Sequence, residues 1–507
     1  QAALGASIRH REAGWSAMGP QGAGRGADGV TPLPWAQLAA LLPAAAADAL
    51  ACTVVAPFLP FMVQSMLQFP PGEQHRIGYY VGVLGASYEC GQMIASPCWG
   101  ALADRAGRRL VLLACLVLNA TVMIAFGFSS SFGTALALRL CQGIVNGTSS
   151  VRNAYVADIT DSTNEAVAFS LFGIVWGAGD VLGPIVGGIF AQPAEQHPEW
   201  FARQPPLVRW VLGAHPYALP CAFVSAFALL DALFVFFALA EPRGAGAIAG
   251  RCCEAEANLP SAGVGQVRGS AAWVACWRAA DLRRLCVLSL AFGSALAAYE
   301  QTVPVWARAQ LRFSPGDVGA VQSASGVVSS IASYCLIGRL VAAVGNRNAL
   351  WLCLSVLALG YVTPAIDIGL GAQDSAAASE TCLLVSYGFK ALGVETCFAI
   401  FAVLLKRAAP PACAGAAQGI GNSALSLGLA SGPLWGPPLF AFSTARCGER
   451  GGAAPFLAFG ALGAATAALA GQEAALRDRR VEGAHDLRRG LVAADGGPAA
   501  TQTQKKK

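Results

Sequence analysis

Twelve apolar stretches, each of about twenty residues and set off by short polar segments, constrain this chain more than any other feature. A helix rises about 1.5 Å per residue, so a run of that length crosses a hydrocarbon layer of about 30 Å. Six runs lie near 35–65, 77–99, 110–128, 132–156, 167–191 and 217–240, and six more near 284–307, 317–338, 349–369, 381–405, 415–441 and 453–472. The runs from 167 and 317 are rich in Gly and Ser. Charged residues make up only 12% of the chain and hydrophobic ones 55%, whereas a soluble domain carries about 25% charged residues. A surface facing lipid needs no such cover. The 58 glycines and 28 prolines fall largely inside the apolar runs, as is common in membrane helices. A net charge of +5 gives no reason to expect nucleic-acid binding. The 16 cysteines are scattered, mostly as single apolar packing residues. Cys252-Cys253, in a polar segment, leaves acylation or metal binding open. No His/Cys constellation marks a metal centre, and no cofactor is expected.

Basic residues orient the runs, because Lys and Arg concentrate in cytoplasmic loops. With both termini placed inside, twenty-five of the 34 basic residues, Arg152 among them, fall inside and seven outside. Arg139 and Lys390 remain as the membrane's own cations. The two halves also repeat: Gly183-Pro184 corresponds to Gly432-Pro433, and Arg139 to Lys390. The expected organisation is a cytoplasmic segment 1–34, a six-helix bundle 35–241, a cytoplasmic loop 242–283, a second bundle 284–472 and a basic tail 473–507. Two such bundles about a pseudo-two-fold axis suit alternating access. The chain starts at Gln1, and residues 1–33, with Arg9, Arg11 and Arg25, leave a transit peptide open. A plasma or vacuolar membrane is favoured over a plastid one.

Three stretches carry chemistry. The loop after the second run reads Gly100-Ala-Leu-Ala-Asp104-Arg105-Ala-Gly107-Arg108-Arg109. Its glycines allow a tight turn, its arginines anchor one face, and Asp104 is a carboxylate held near helix ends, where a charge can stabilise one packing of the halves. A purely topogenic loop would need the arginines alone. The echo from Gly338-Arg339 to Gly345-Asn346-Arg347 lacks the acid and reads as structural. In the fourth run, Arg139-Leu-Cys-Gln142-Gly143-Ile-Val-Asn146-Gly147 places an arginine where it must face a cavity or pair with an acid, unless it snorkels to the headgroups. In the fifth, Gly179-Asp180-Val-Leu-Gly183-Pro184-Ile-Val-Gly187-Gly188 sets glycines four apart on one helix face, where a neighbouring backbone can approach. Pro184 permits a bend.

These stretches resemble the signature loop, a proton-coupling motif and the antiporter motif of the major facilitator superfamily. The resemblance covers nearly the whole chain. It implies an all-α membrane protein with twelve transmembrane helices in two pseudo-symmetric six-helix bundles, working as a monomer without enzymatic activity. Between 97 and 221, including Ala157-Asp158-Ile-Thr-Asp161-Ser-Thr-Asn164 and His215-Pro216-Tyr217, the chain resembles the zinc-induced facilitator-like and tetracycline-exporter-like branch. The second half diverges from it.

Buried acids complete the picture: Asp48, ahead of Pro57 and Pro60 in the first run, Glu89 in the second, Asp231 in the sixth and Glu300 in the seventh. Desolvation disfavours the charged carboxylate, so acids in excess of cations can take up and release protons. The expectation is a proton-coupled exporter of a small organic solute or metal chelate. Asp48, Glu89, Arg139, Asp180 and Asp231 would serve its first half, and Glu300 and Lys390 its second. Tyr88, Tyr299 and Trp306 would line the cavity or pack beside it. Two alternatives stay open: a proton-independent facilitator or symporter of a nutrient, and a non-transporting membrane sensor.

Overall fold

The computed structural model describes residues 31–70, 73–160, 164–241, 278–370, 376–408 and 414–472, and among them every regular element is helical. The first half comprises α1 Trp35–Thr53, α2 Leu59–Leu67, α3 Ile77–Ala106, α4 Arg108–Gly127, α5 Phe132–Val145, α6 Thr148–Ile159 and α7 Glu165–Phe190. Three short helices follow, α8 Pro193–Gln196, α9 Pro198–Ala202 and α10 Pro206–Ala214, before α11 Ala218–Ala238. The second half holds α12 Ala280–Gln310, α13 Pro315–Leu370, α14 Ala376–Ala408, α15 Ala414–Cys447 and α16 at 453–472.

Each of the twelve apolar runs is helical. Eight helical stretches among the described residues are individually long and apolar enough to cross a bilayer. The fourth run is not among them, because it breaks into α5 and α6 at Asn146-Gly147. The first run is broken too, by the turn that contains Pro57, with Pro60 in the first turn of α2, where its missing N–H costs nothing. By contrast α7 runs unbroken through Pro184. Two tight reversals rest on glycine. Gly107 has φ +98° between α3 and α4, and Gly345 has φ +77° inside α13. Both lie in the region that side chains avoid. Their separation matches that between Gly100 and Gly338, so the repeat seen in sequence is also one of backbone conformation.

Small residues decide how the helices meet. Gly179, Gly183 and Gly187 turn toward α1, where an added Cβ would strike Ala49, Thr53 and the Val54 carbonyl. Thr53 Oγ donates to the Gly179 carbonyl at 3.0 Å. Gly188, one position round the same helix, meets Pro315, Gly316 and Gly319 of α13. Gly177, in the middle of the helix, meets Ser330, and Gly326 of α13 abuts the Asp180 backbone. Helix α7 is thus a two-faced spacer, packed on its own half through one glycine row and on the other half from its middle to its end. The second joint lies between α3 and α15, where Gly78 and Gly82 abut the carbonyls of Pro437 and Pro433.

These joints share one end of the molecule, the end away from Gly107. The apolar core tells the same story. One cluster unites Val54, Phe58, Met62 and Val81 of the first half with Tyr299, Val303, Trp306 and Phe440 of the second. Another, made of Leu41, Leu112, Leu116, Tyr155, Phe172 and Val235 near the Gly107 turn, draws on the first half alone.

Candidate transport site

In the first half the polar side chains gather around Asp48, which is 1% exposed. Asn146 Nδ2 donates to its Oδ1 at 2.8 Å and Ser149 Oγ to its Oδ2 at 2.5 Å, while Arg152 Nη1 stands 3.7 Å away. The break between α5 and α6 makes this possible, because it aims Asn146, Ser149 and Arg152 at one point on α1. Asn146 also donates to the Tyr88 hydroxyl at 2.6 Å, and Cys52 Sγ lies 3.1 Å from that oxygen. Gly91 and Gly143 let the backbones of α3 and α5 touch, which brings Tyr88 under Arg139. The Arg139 guanidinium sits 4.5 Å from the Tyr88 ring centre and donates to Gln142 Oε1 at 2.7 Å. It is 6% exposed, so it does not snorkel. It has no acid at ion-pair distance among the described residues; Glu89 reaches it only through the electrostatic field.

In the second half the corresponding cation, Lys390, binds Glu300 Oε1 at 2.6 Å and lies 5.5 Å from the Tyr387 ring centre. Asp180 of α7 and Glu395 of α14 share its field. Glu89 feels both Arg139 and Glu300. The two clusters are therefore one electrostatic system spanning the halves. Behind it, Tyr299 bonds Ser386 Oγ at 2.6 Å, and Ser386 donates to the Gly360 carbonyl at 2.6 Å.

The sequence-selected residues divide accordingly. Asp48, Glu89, Arg139, Asp180, Glu300 and Lys390 come together; Asp231 does not. It is 4% exposed in apolar packing on α11, and neither carboxylate oxygen has a hydrogen-bond partner. Arg152 corrects the expectation that Arg139 and Lys390 are the membrane's only cations. It is 4% exposed and helical rather than a basic loop residue, because Asp48 draws it inward. Glu395 and Asp367 escaped the sequence reading, although both stand in apolar runs of the second half, the signal that found Glu89. Asp367 accepts from Ser379 Oγ at 3.1 Å and is a helix-to-helix tie between α13 and α14. Tyr88, Tyr299 and Trp306 are each at most 3% exposed, so they back the site instead of lining it. Trp306 donates to Gln310 Oε1 at 2.8 Å and packs on Phe456.

The signature loop is an interlock within the first half. The backbone N–H groups of Arg108 and Arg109 donate to the two Glu241 carboxylate oxygens, at 2.5 and 3.0 Å. That carboxylate, just past the end of the neighbouring α11, thus caps the N-terminus of α4. Arg108 Nε donates to Asp158 at 3.0 Å, and Arg109 donates to the Phe236 carbonyl. Arg105 is exposed. The Asp104 side chain, Cys252-Cys253, 1–30 and the tail lie outside the described residues.

Comparison with known proteins agrees with this architecture. Residues 41–433 match the model of the Major Facilitator Superfamily. Zinc Induced Facilitator-Like 1 of Arabidopsis thaliana is 29% identical over 413 residues, covering 77% of this chain and 81% of that protein. The class C tetracycline resistance protein of Escherichia coli is 38% identical over 143 residues, 28% of this chain and 35% of that one. Among solved structures, a D-xylose-proton symporter superposes with a TM-score of 0.65 at 15% identity, covering 86% of this chain and 97% of that one. With the repeated glycine turns, the paired bundles and a family match over most of its length, the chain belongs to the Major Facilitator Superfamily and is a transporter, not an enzyme.

Proposed function

We propose that the protein exchanges protons for a small organic solute or metal chelate, moving it out of the cytoplasm by alternating access. Both termini and the Gly107 turn lie on the cytoplasmic side in this reading, in a plasma or vacuolar membrane. The observation that carries it is the placement of Glu89. This carboxylate has no hydrogen bond or ion pair among the described residues and stands in the field of Arg139 on one half and Glu300 on the other. Its charge is therefore felt by both halves, and protonating it changes how they attract. Asp48, held by Asn146, Ser149 and Arg152, belongs to the same coupling region, and the signature loop, with Asp104, Arg105 and Arg108, is the cytoplasmic hinge. The relative named for tetracycline resistance supports an exporting direction.

Purified protein in liposomes with an imposed pH gradient and an internal pH dye tests this. A panel of candidate solutes should include at least one that collapses the gradient, and Glu89→Gln should abolish the collapse. Solute uptake with no proton movement would overturn it.

A further inference from the structure

Between α7 and α11 the chain makes an excursion of three short helices, α8 to α10, at the end away from Gly107. The excursion is pinned at its neck. The Gln192 N–H donates to the Pro216 carbonyl at 2.9 Å, and His197 Nε2 lies 3.1 Å from the Ile189 carbonyl. Its last helix, α10, has Pro206 in its first turn and carries Leu207, Val208, Trp210, Val211 and Leu212 beside a single charge, Arg209. With 3.6 residues per turn, Leu207 and Trp210 share one flank and Leu212 lies nearly opposite. Leu212 is buried, whereas Leu207 and Trp210 are each 71% exposed. The packing of α10 on the protein therefore leaves a second apolar flank bare, and a bare apolar flank marks a contact with something else.

The surroundings of α10 say what that contact is. At its foot, the His215 ring packs edge-on against Phe128 at 5.1 Å. Phe128 follows α4 directly, Phe223 lies near the start of α11, and Ile189 lies in the last turn of α7. These three side chains are 41%, 46% and 43% exposed. All three helices are long and apolar enough to cross a bilayer, so the exposed side chains at their ends mark the rim of the lipid-facing surface. Helix α10 stands on that rim, ending at Ala214 where α11 begins at Ala218. Tryptophan concentrates at this depth, where its ring meets acyl chains and its N–H meets headgroups. Helices with one apolar flank lie in the same layer. Arg209 is exposed and bears the charge that a lipid phosphate complements; the acids of the excursion, Glu195 and Glu199, belong to α8 and α9.

We propose that α10 is an interfacial helix, with Leu207 and Trp210 seated in the headgroup–acyl boundary of the leaflet at the end away from Gly107. The occupant of the bare flank is the bilayer itself. The same excursion reaches the joint between the halves, since Gln196 of α8 holds the Gly188 and Ala191 carbonyls and lies beside Gly316 of α13. One short segment thus touches both the membrane surface and the contact between α7 and α13.

Tryptophan quenching tests this on the full chain reconstituted in phosphatidylcholine vesicles, with lipid brominated near the headgroup end of its acyl chains. The chain has 11 tryptophans, so the emission of Trp210 is read as the difference between the parent and Trp210→Leu. That component should lose most of its intensity to brominated lipid and little to aqueous iodide. Trp351→Leu supplies the reference, because Trp351 is 45% exposed within a membrane-crossing stretch and its component must be quenched by bromine. Both variants keep an apolar side chain, and monodisperse elution shows that each is folded. A Trp210 component that bromine leaves intact would overturn the proposal in either of two ways. Quenching by iodide would mean that the flank faces water. Protection from both quenchers would mean that protein covers it, and a doubled mass in light scattering would identify a second copy. The measurement needs neither a solute nor a pH gradient, so its outcome is independent of the proton-exchange reading.

Discussion

Asp48 and Arg152 are buried together at 3.7 Å, and burial makes each the condition for the other's charge. Removing one partner of a buried pair costs about 3–5 kcal/mol, because the remaining charge has neither water nor a counter-ion. Arg152→Met should therefore lower the thermal stability of the detergent-solubilised protein sharply. The double variant Asp48→Asn/Arg152→Met should recover much of the loss, since Asn146 and Ser149 can still bond a neutral amide. If the double variant were no more stable than the single one, the pair would not be energetically coupled. At Gly107 the constraint is steric as well as conformational: φ is +98°, and an added Cβ would lie 2.9 Å from Glu241 Oε1. Gly107→Ala should cost about 1–3 kcal/mol through backbone strain and should loosen the cap on α4, both readable as a fall in melting temperature. The sequence made Asp48, Glu89, Arg139 and Lys390 visible, because a charge in an apolar run has few innocent explanations. It misplaced Arg152, which stands near the end of a run where loop and helix look alike until Asp48 is brought opposite. It could not reveal Glu241 as a cap, because that contact joins residues more than a hundred positions apart.

At the scale of elements, α7 carries the strongest constraints. One row of its glycines is filled by α1, and its other side, from Gly177 to Gly188, meets α13. Gly187→Val would drive two methyl groups into the Val54 carbonyl, and overpacking of this kind costs about 1–3 kcal/mol or more. Little folded protein should be recovered after size-exclusion chromatography. Gly173→Ala, on the same helix but with nothing within 4 Å of an added Cβ, should stay within about 0.5 kcal/mol of the parent. Equal damage from both would mean that the glycines serve helix flexibility and not close packing. The spacing Gly179, Gly183, Gly187 announced a packing face, and the length of the apolar stretches gave all twelve runs. Which neighbour each glycine meets was not legible, since helix rotation is set by partners distant in sequence.

Across the whole molecule, the two halves share an apolar core and glycine joints at one end, while near the Gly107 turn the first half has a core of its own. The polar cluster lies between, with acids and cations on both sides of the interface. An arrangement held at one end, with titratable groups at its middle, can rock if protonation changes the attraction between the halves. Reconstituted Glu89→Gln is the direct test, because it separates movement of the halves from proton coupling. With a solute identified by proton exchange, counterflow of labelled against unlabelled solute at equal pH should persist in the variant, while uptake driven by a pH gradient is lost. Gradient-driven uptake that survives in Glu89→Gln at the parent rate would contradict the account.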